Sequence, residues 1–215
     1  MPIFALDENL YFPPTHLAEP DGLLAMGGDL STERLLLAYK NGIFPWYNEP
    51  PILWWSPNPR FVLFPDELKI SKSLQSLIKK NSFKFTINTA CKQVITSCKN
   101  IERKDQDGTW INHEIVDAYY SLHEKGSVYS AEVWQNNQLV GGLYGVLLGK
   151  IFFGESMFSH VSNASKVAFV QFVKYLKEEK EIELIDCQIY SEYLESFGAR
   201  MIPLPEFQRY LYNFI

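Results

Sequence analysis

The chain has 215 residues, 47% hydrophobic and 15% aromatic, which is enough apolar material for one large globular domain or two unequal ones. No apolar run reaches the roughly 18 residues of a membrane span, and the opening "MPIFALDENLYFPP" lacks the basic and apolar regions of a secretory signal, so a cytoplasmic protein is expected. A formal net charge of -5 argues against a nucleic-acid partner only if the charge is evenly spread, and it is not.

Residues 1–62, rich in Pro, Gly and aromatics, predict a small N-terminal domain. It holds one clear helix from Thr32 to about Asn41, capped by Ser31 or Thr32 and stopped at Gly42. A second domain is expected over 63–215. It opens with the strand "RFVLF" and a helix beginning near Ile70, on which Lys69, Lys72, Lys79 and Lys80 fall along one stripe while Leu74, Leu77 and Ile78 turn elsewhere. Residues 69–104 carry nine basic residues, ending in Arg103 and Lys104, against the single acid Glu102; that segment is +8 and the rest of the chain -13. Such polarity fits a footprint for a phosphate backbone, although a solvated helix face can look the same.

The strand "FKFTI", a helix over 89–99, a loop with "KDQDG" and a helix over 112–124 ended by Gly126 come next. Three strands then follow at short spacing, "SVYSAEVWQ", "QLVGGLYGVLL" and "KIFFGESMF", joined by turns at Asn136-Asn137 and Gly149-Lys150. Ser162 or Asn163 is expected to cap a long helix to about Glu179, after which come the strand "ELIDCQIY" and the short helix "SEYLESFGA".

That last strand raises a question of chemistry. In regular pleating Asp186 and Gln188 leave one face while Ile185, Cys187 and Ile189 leave the other. Burying either polar group without partners costs about 1 to 3 kcal/mol, more if it is charged. The pair therefore marks either a strand end whose polar groups meet turn backbone or a site. The other candidates carry less. Cys91, Cys98 and Cys187 show no CxxC spacing, and His16, His113 and His123 share no metal-ligand spacing. Ser156 in "GESMF" lacks the second glycine of a nucleophile elbow. No metal or cofactor is implied.

The order of three antiparallel strands, a long helix, a strand and a short helix resembles the GNAT-type acyltransferase fold, which implies an α+β chain with a mixed, mostly antiparallel sheet. Most members of that fold hold the pyrophosphate of acyl-CoA on a Q/R-x-x-G-x-G/A turn. Here the corresponding "SHVSNASK" has no glycine, which points to a different acyl donor.

Several segments point to one family: "GLLAMGGDLSTERLLLAYKNGIFPWY", "ILWWSPNPR", "GTWI", "VWQNNQLVGGLYGV", "GESMFS" with "NASK", and "LIDCQ". In order, from about residue 20 to 205, they resemble the leucyl/phenylalanyl-tRNA-protein transferases. The resemblance implies transfer of Leu or Phe, less readily Met, from aminoacyl-tRNA to the α-amino group of proteins beginning with Lys or Arg, which marks them for degradation through the new N-terminal residue. It also implies a monomer with no membrane partner.

By the same resemblance Asp186 and Gln188 match the active-site pair and Glu155 an acidic residue at the acceptor site. Trp46, Trp110, Tyr119, Leu143 and Phe152 match the lining of the Leu/Phe pocket and the place of the terminal adenine. His160 stands where an Arg is common, Tyr193 where a His is common, and Gln75 and Ser76 at helix positions that can be basic. The tRNA footprint is accordingly expected at Lys72, Lys79 and Lys80. Two other classes stay open: a GNAT-fold N-acyltransferase using acyl-CoA, and a non-catalytic binder of basic N-termini through Glu155 and Asp186.

Overall fold

Two sheets organise the chain, and the computed structural model describes residues 3–101 and 110–215 of it. The first is four-stranded, built from β1 (Phe4–Leu6), β2 (Leu23–Gly27), β3 (Phe44–Pro45) and β4 (Leu53–Trp55) in the order β1-β2-β4-β3. Helix α1 (Thr32–Lys40) connects two of its strands and starts where expected, with Ser31 Oγ accepting from the Arg34 N–H at 3.3 Å. Glu33 in its first turn and Lys40 in its last complement the helix dipole. Its buried face carries Leu35, Ala38 and Tyr39, and Gly42 takes the left-handed conformation that ends it, at φ +73°.

The second sheet is seven-stranded: β5 (Arg60–Leu63), β6 (Lys84–Ile87), β7 (Val128–Gln135), β8 (Gln138–Leu148), β9 (Ile151–Ser159), β10 (Leu184–Gln188) and β11 (Arg200–Ile202), in the order β11-β5-β10-β9-β8-β7-β6. Every neighbouring pair is antiparallel except β9 and β10, which makes the sheet mixed and mostly antiparallel, as the GNAT-type reading requires. The β7–β8 hairpin turns on Asn136 and Asn137, both at positive φ (51° and 61°), the pattern of a two-residue hairpin turn. A parallel return needs a long crossover, which helix α5 (Ala164–Lys180) supplies. The change from one sheet to the other falls between Trp55 and Arg60.

Both faces of the large sheet are covered. Helices α2 (Lys72–Lys79) and α5 pack on one side over Phe61, Leu143, Phe152 and Ile185. On the other lie α3 (Cys91–Asn100), α4 (His113–Glu124), α7 (Leu204–Phe214) and the first sheet with α1, in one continuous core that joins Tyr39 and Trp54 to Val62, Tyr144 and Phe153. The short α6 (Glu192–Glu195) precedes β11.

Helix α5 starts where expected, after Asn163, but is capped differently. Asn163 sits in the left-handed region at φ 67° and its side chain makes no capping bond. Ser159, the last residue of β9, does the work, with its Oγ accepting from the Ser165 N–H at 3.2 Å. The N-terminus of α3 is capped from another element as well. The buried Glu132 of β7 accepts from Thr86 Oγ1 (2.7 Å), Thr89 Oγ1 (2.9 Å) and the Ala90 N–H (3.4 Å), placing a carboxylate at the positive end of the helix.

Candidate active site

Strands β9 and β10 pair in parallel from Leu184–Ile151 to Asp186–Phe153, and there the pairing stops. Beyond that point β9 runs on to Ser159 against β8 alone. Each strand carries a bulge just there. In β9, Gly145 lies opposite Gly154 and Tyr144 opposite Ser156, which leaves Glu155 as the extra residue. In β10, Val62 lies opposite Asp186 and Phe61 opposite Gln188, which leaves Cys187 as the extra one. A bulge bends its strand and re-aims the side chains around it. The two here bring Gln188 Nε2 to Glu155 Oε1 at 3.1 Å. A cavity of about 660 Å³ opens where the strands part.

Gln188 holds φ at +66°, a conformation uncommon outside glycine. Its backbone N–H donates to Asp186 Oδ1 at 2.9 Å. Asp186 is in turn fixed by Arg60, whose Nε donates to Oδ1 at 2.8 Å and whose Nη2 donates to Oδ2 at 2.7 Å. Both side chains are fully buried. The guanidinium lies over the rings of Phe44 and Phe207, each centred 4.8 Å away, and its Nη1 has no hydrogen-bond partner among the described residues.

Glu155 is half-buried and stands at the cavity floor. Beneath it, the Tyr39 hydroxyl reaches Oε1 at 2.7 Å and the Tyr119 hydroxyl reaches Oε2 at 3.1 Å, while the two phenols also hydrogen-bond each other. Burial drives the Glu155 carboxyl up to about 7, and the nearby Asp186 adds to the rise; bonds from Tyr39, Tyr119 and Gln188 oppose it. Burial and the Glu155 charge push both phenols well above their usual range.

Of the residues singled out from sequence, Trp46, Trp110, Leu143, Phe152, Glu155, Asp186 and Gln188 all meet at this cavity. Tyr119 lies below its floor, fully buried, and addresses it only through Glu155. Lys72, Lys79 and Lys80 are exposed on and just past α2 and do not line it. Tyr193 does line it, with its hydroxyl on Ser165 Oγ at 3.3 Å, whereas His160 is exposed. His123 Nδ1 is 2.9 Å from the Val128 carbonyl oxygen, a structural contact. Burial raises the Cys187 thiol far above its normal value, which removes it as a nucleophile. Glu102, Arg103, Lys104, the "KDQDG" loop and the Gly108-Thr109 pair before Trp110 lie outside the described residues.

Sequence reasoning missed Arg60 and Tyr39. Arg60 ends the quoted "ILWWSPNPR" and Tyr39 lies in the first long segment, but neither stands near its partner in the chain. The bulges left a faint trace, the glycines of "GLYGV" and "GES". A Cβ on Gly145 would come within 2.1 Å of the Phe153 carbonyl oxygen.

Comparison with known proteins gives a consistent answer. The family model described as leucyl/phenylalanyl-tRNA protein transferase matches residues 62–212, and the model of that family's N-terminal domain matches residues 28–58. A leucyl/phenylalanyl-tRNA--protein transferase of Flavobacterium johnsoniae is 54% identical over 97% of this chain and 99% of its own length. One from Syntrophobacter fumaroxidans is 55% identical over 94% of this chain and 86% of its own. Among solved structures, L-PGS from Bacillus licheniformis superposes with a TM-score of 0.42 at 11% identity, covering 80% of this chain and 57% of that one, a likeness too slight to carry an argument.

Proposed function

Since the chain belongs to the leucyl/phenylalanyl-tRNA protein transferase family and is thus a tRNA-dependent aminoacyltransferase acting on proteins, we propose that it moves Leu or Phe, less readily Met, onto the α-amino group of proteins that begin with Lys or Arg. The modified protein is then degraded in the cytoplasm through its new N-terminal residue. The observation that carries this reading is the cavity between β9 and β10, lined by apolar side chains, by Trp46 and Trp110, and by one half-buried carboxylate.

Each part suits one piece of the substrates. Leu143, Phe152, Phe169 and Ile185 make a slot for an aliphatic or aromatic side chain. Trp46 and Trp110 offer broad rings for the terminal adenine. Glu155 receives the acceptor's α-ammonium, and Lys72, Lys79 and Lys80 meet the tRNA backbone. An aminoacyl ester is already activated, so the remaining work is to hold the amine on the carbonyl and to manage protons. Gln188 holds the amine from the side. Asp186, with both oxygens engaged, positions Gln188 through the backbone bond.

The test is to incubate the protein with Leu-tRNA and peptides that begin with Arg or Ala, and to read product by mass. The reading predicts addition of one leucyl residue to the Arg peptide and little to the Ala peptide. Val-tRNA should be used more poorly by roughly 10 to 200-fold, the range an apolar slot achieves against a missing methylene. No leucyl product would overturn the activity, and equal use of both peptides would overturn the acceptor preference.

A further inference from the structure

Tyr39 contacts Glu155 Oε1, Tyr119 contacts Glu155 Oε2, and the two phenol oxygens contact each other, which makes a closed ring of three hydrogen bonds. Each phenol brings one proton. Two protons cannot serve three bonds, so the ring closes fully only when the carboxyl of Glu155 carries the third. With the carboxylate ionised, both phenols turn to it and their mutual contact is left without a proton. The cluster thus accommodates both states of one carboxyl through small hydroxyl rotations, and that carboxyl faces the cavity.

Asp186 has no such freedom. Arg60 holds both its oxygens, the Gln188 N–H takes a further lone pair of Oδ1, and its side chain has no exposed surface. Protonating it would break a buried pair whose cation has nowhere else to go. We infer that Glu155 is a catalytic residue, taking the first proton from the incoming α-ammonium, and that Asp186 serves only to position. The inference rests on the aminoacyl-transfer reading of this cavity.

The ammonium gives one proton to the Glu155 carboxylate and becomes a neutral amine. Its nitrogen attacks the ester carbonyl; a C–N bond forms, the bond from the carbonyl carbon to the 3′-oxygen breaks, and the second nitrogen proton leaves on that oxygen. Glu155 then returns its proton to solvent. In the protein alone the carboxyl, at about 7, lies within about one unit of an amine of pKa ~7.7 to 8.0, where an ordinary carboxylate lies about four units below it. The titratable and charged groups around Glu155 are Tyr39 from α1, Tyr119 from α4 with Tyr144 of β8 behind it, and Asp186 of β10 with Arg60 of β5. None of these carries a free positive charge toward the carboxyl, since Arg60 is spent on Asp186.

The experiment follows kcat/KM against pH for two Arg-initiated acceptors, one with its α-amine and one with an α-aminooxy group, a far weaker base that is neutral throughout the range. Wild type should lose rate on the amine below about pH 7 and stay level on the aminooxy acceptor. Glu155→Gln should lose several-fold in kcat on the amine at pH 6.5, recover most of it at pH 9 where the amine is already neutral, and lose distinctly less on the aminooxy acceptor. Equal losses on both acceptors, a loss on the amine that is the same at pH 6.5 and pH 9, or a loss at pH 6.5 that falls on KM with kcat intact, would overturn the inference and leave Glu155 a structural or binding group. Should the variant not fold, wild type still decides: an aminooxy rate that falls below pH 7 as steeply as the amine rate overturns it. Wild type that transfers to neither acceptor would instead sink the functional reading itself.

Discussion

Asp186 shows how much a single residue's environment changes what its chemistry can be. In the chain it reads as a carboxylate set into an apolar strand, but in the fold it is one half of a fully buried bidentate pair with Arg60. Removing one partner strands the other charge, so Asp186→Asn should cost about 3 to 5 kcal/mol of stability in urea unfolding, apart from any loss of transfer. Replacing both, as Arg60→Met with Asp186→Leu, should restore much of that stability while transfer stays low, because the Gln188 N–H then has no acceptor to hold it at positive φ. A double variant with full activity would show that the pair does not orient Gln188. Glu155 gives a second signature. Its carboxyl is raised from 4.5 to about 7, so between those values the folded state binds more protons than the unfolded one. Stability contributed by the protonated carboxyl is present below about pH 4.5 and is lost as pH rises through about 7. Thermal melts of wild type should therefore decline across this window, and those of Glu155→Gln should decline less. Parallel profiles would contradict the raised carboxyl.

At the scale of elements, the site is the product of two bulges and of the place where β9 and β10 stop pairing. Gly145 makes the first bulge feasible, since a methyl group there would meet the Phe153 carbonyl oxygen at 2.1 Å and the Phe152 ring at 2.5 Å. Gly145→Ala should therefore destabilise by about 1 to 3 kcal/mol through overpacking and reduce transfer by displacing Glu155 and Phe152. At Gly154 the nearest atom is the Asp186 carbonyl oxygen at 3.6 Å, an ordinary contact, so Gly154→Ala should leave the melting temperature nearly unchanged. Similar effects at the two positions would show that the bulge does not depend on Gly145. Helix α2 poses a separate question. It presents Leu74 to the core and Lys72 and Lys79 to solvent, with Lys80 at its end. If these lysines neutralise tRNA phosphates, the triple alanine variant should show a shallower dependence of log affinity on log salt, by up to about one unit per lysine. Transfer from an aminoacyl-adenosine fragment should be unaffected. An unchanged slope would make them a solvated face.

For the whole molecule, what the sequence made legible and what it hid divide along chain distance. Periodicity and punctuation are local, so α1, α4, the β7–β8–β9 meander and the strand with Asp186 and Gln188 could be read in order, each bounded by its own Ser, Asn or Gly. The family motifs added Glu155, Trp46 and Trp110 at the cavity. Contacts between distant elements leave no such mark: Arg60 meets Asp186 across 126 positions and Tyr39 meets Glu155 across 116, and nothing near any of the four names its partner. The cap of α5 is hidden for the same reason, because it comes from β9 and not from the residue before the helix. What unites the molecule is the cavity where these distant contributions converge, the proposed seat of transfer. The most direct measurement is a structure with a non-hydrolysable Phe- or Leu-adenosine analogue bound. The amino-acid side chain should lie among Leu143, Phe152 and Ile185, the adenine on Trp46 or Trp110, and the reacting carbonyl beside Gln188 and Glu155. An analogue seated elsewhere, for example in the groove between Phe12 and Tyr212, with this cavity empty at saturation, would contradict that placement.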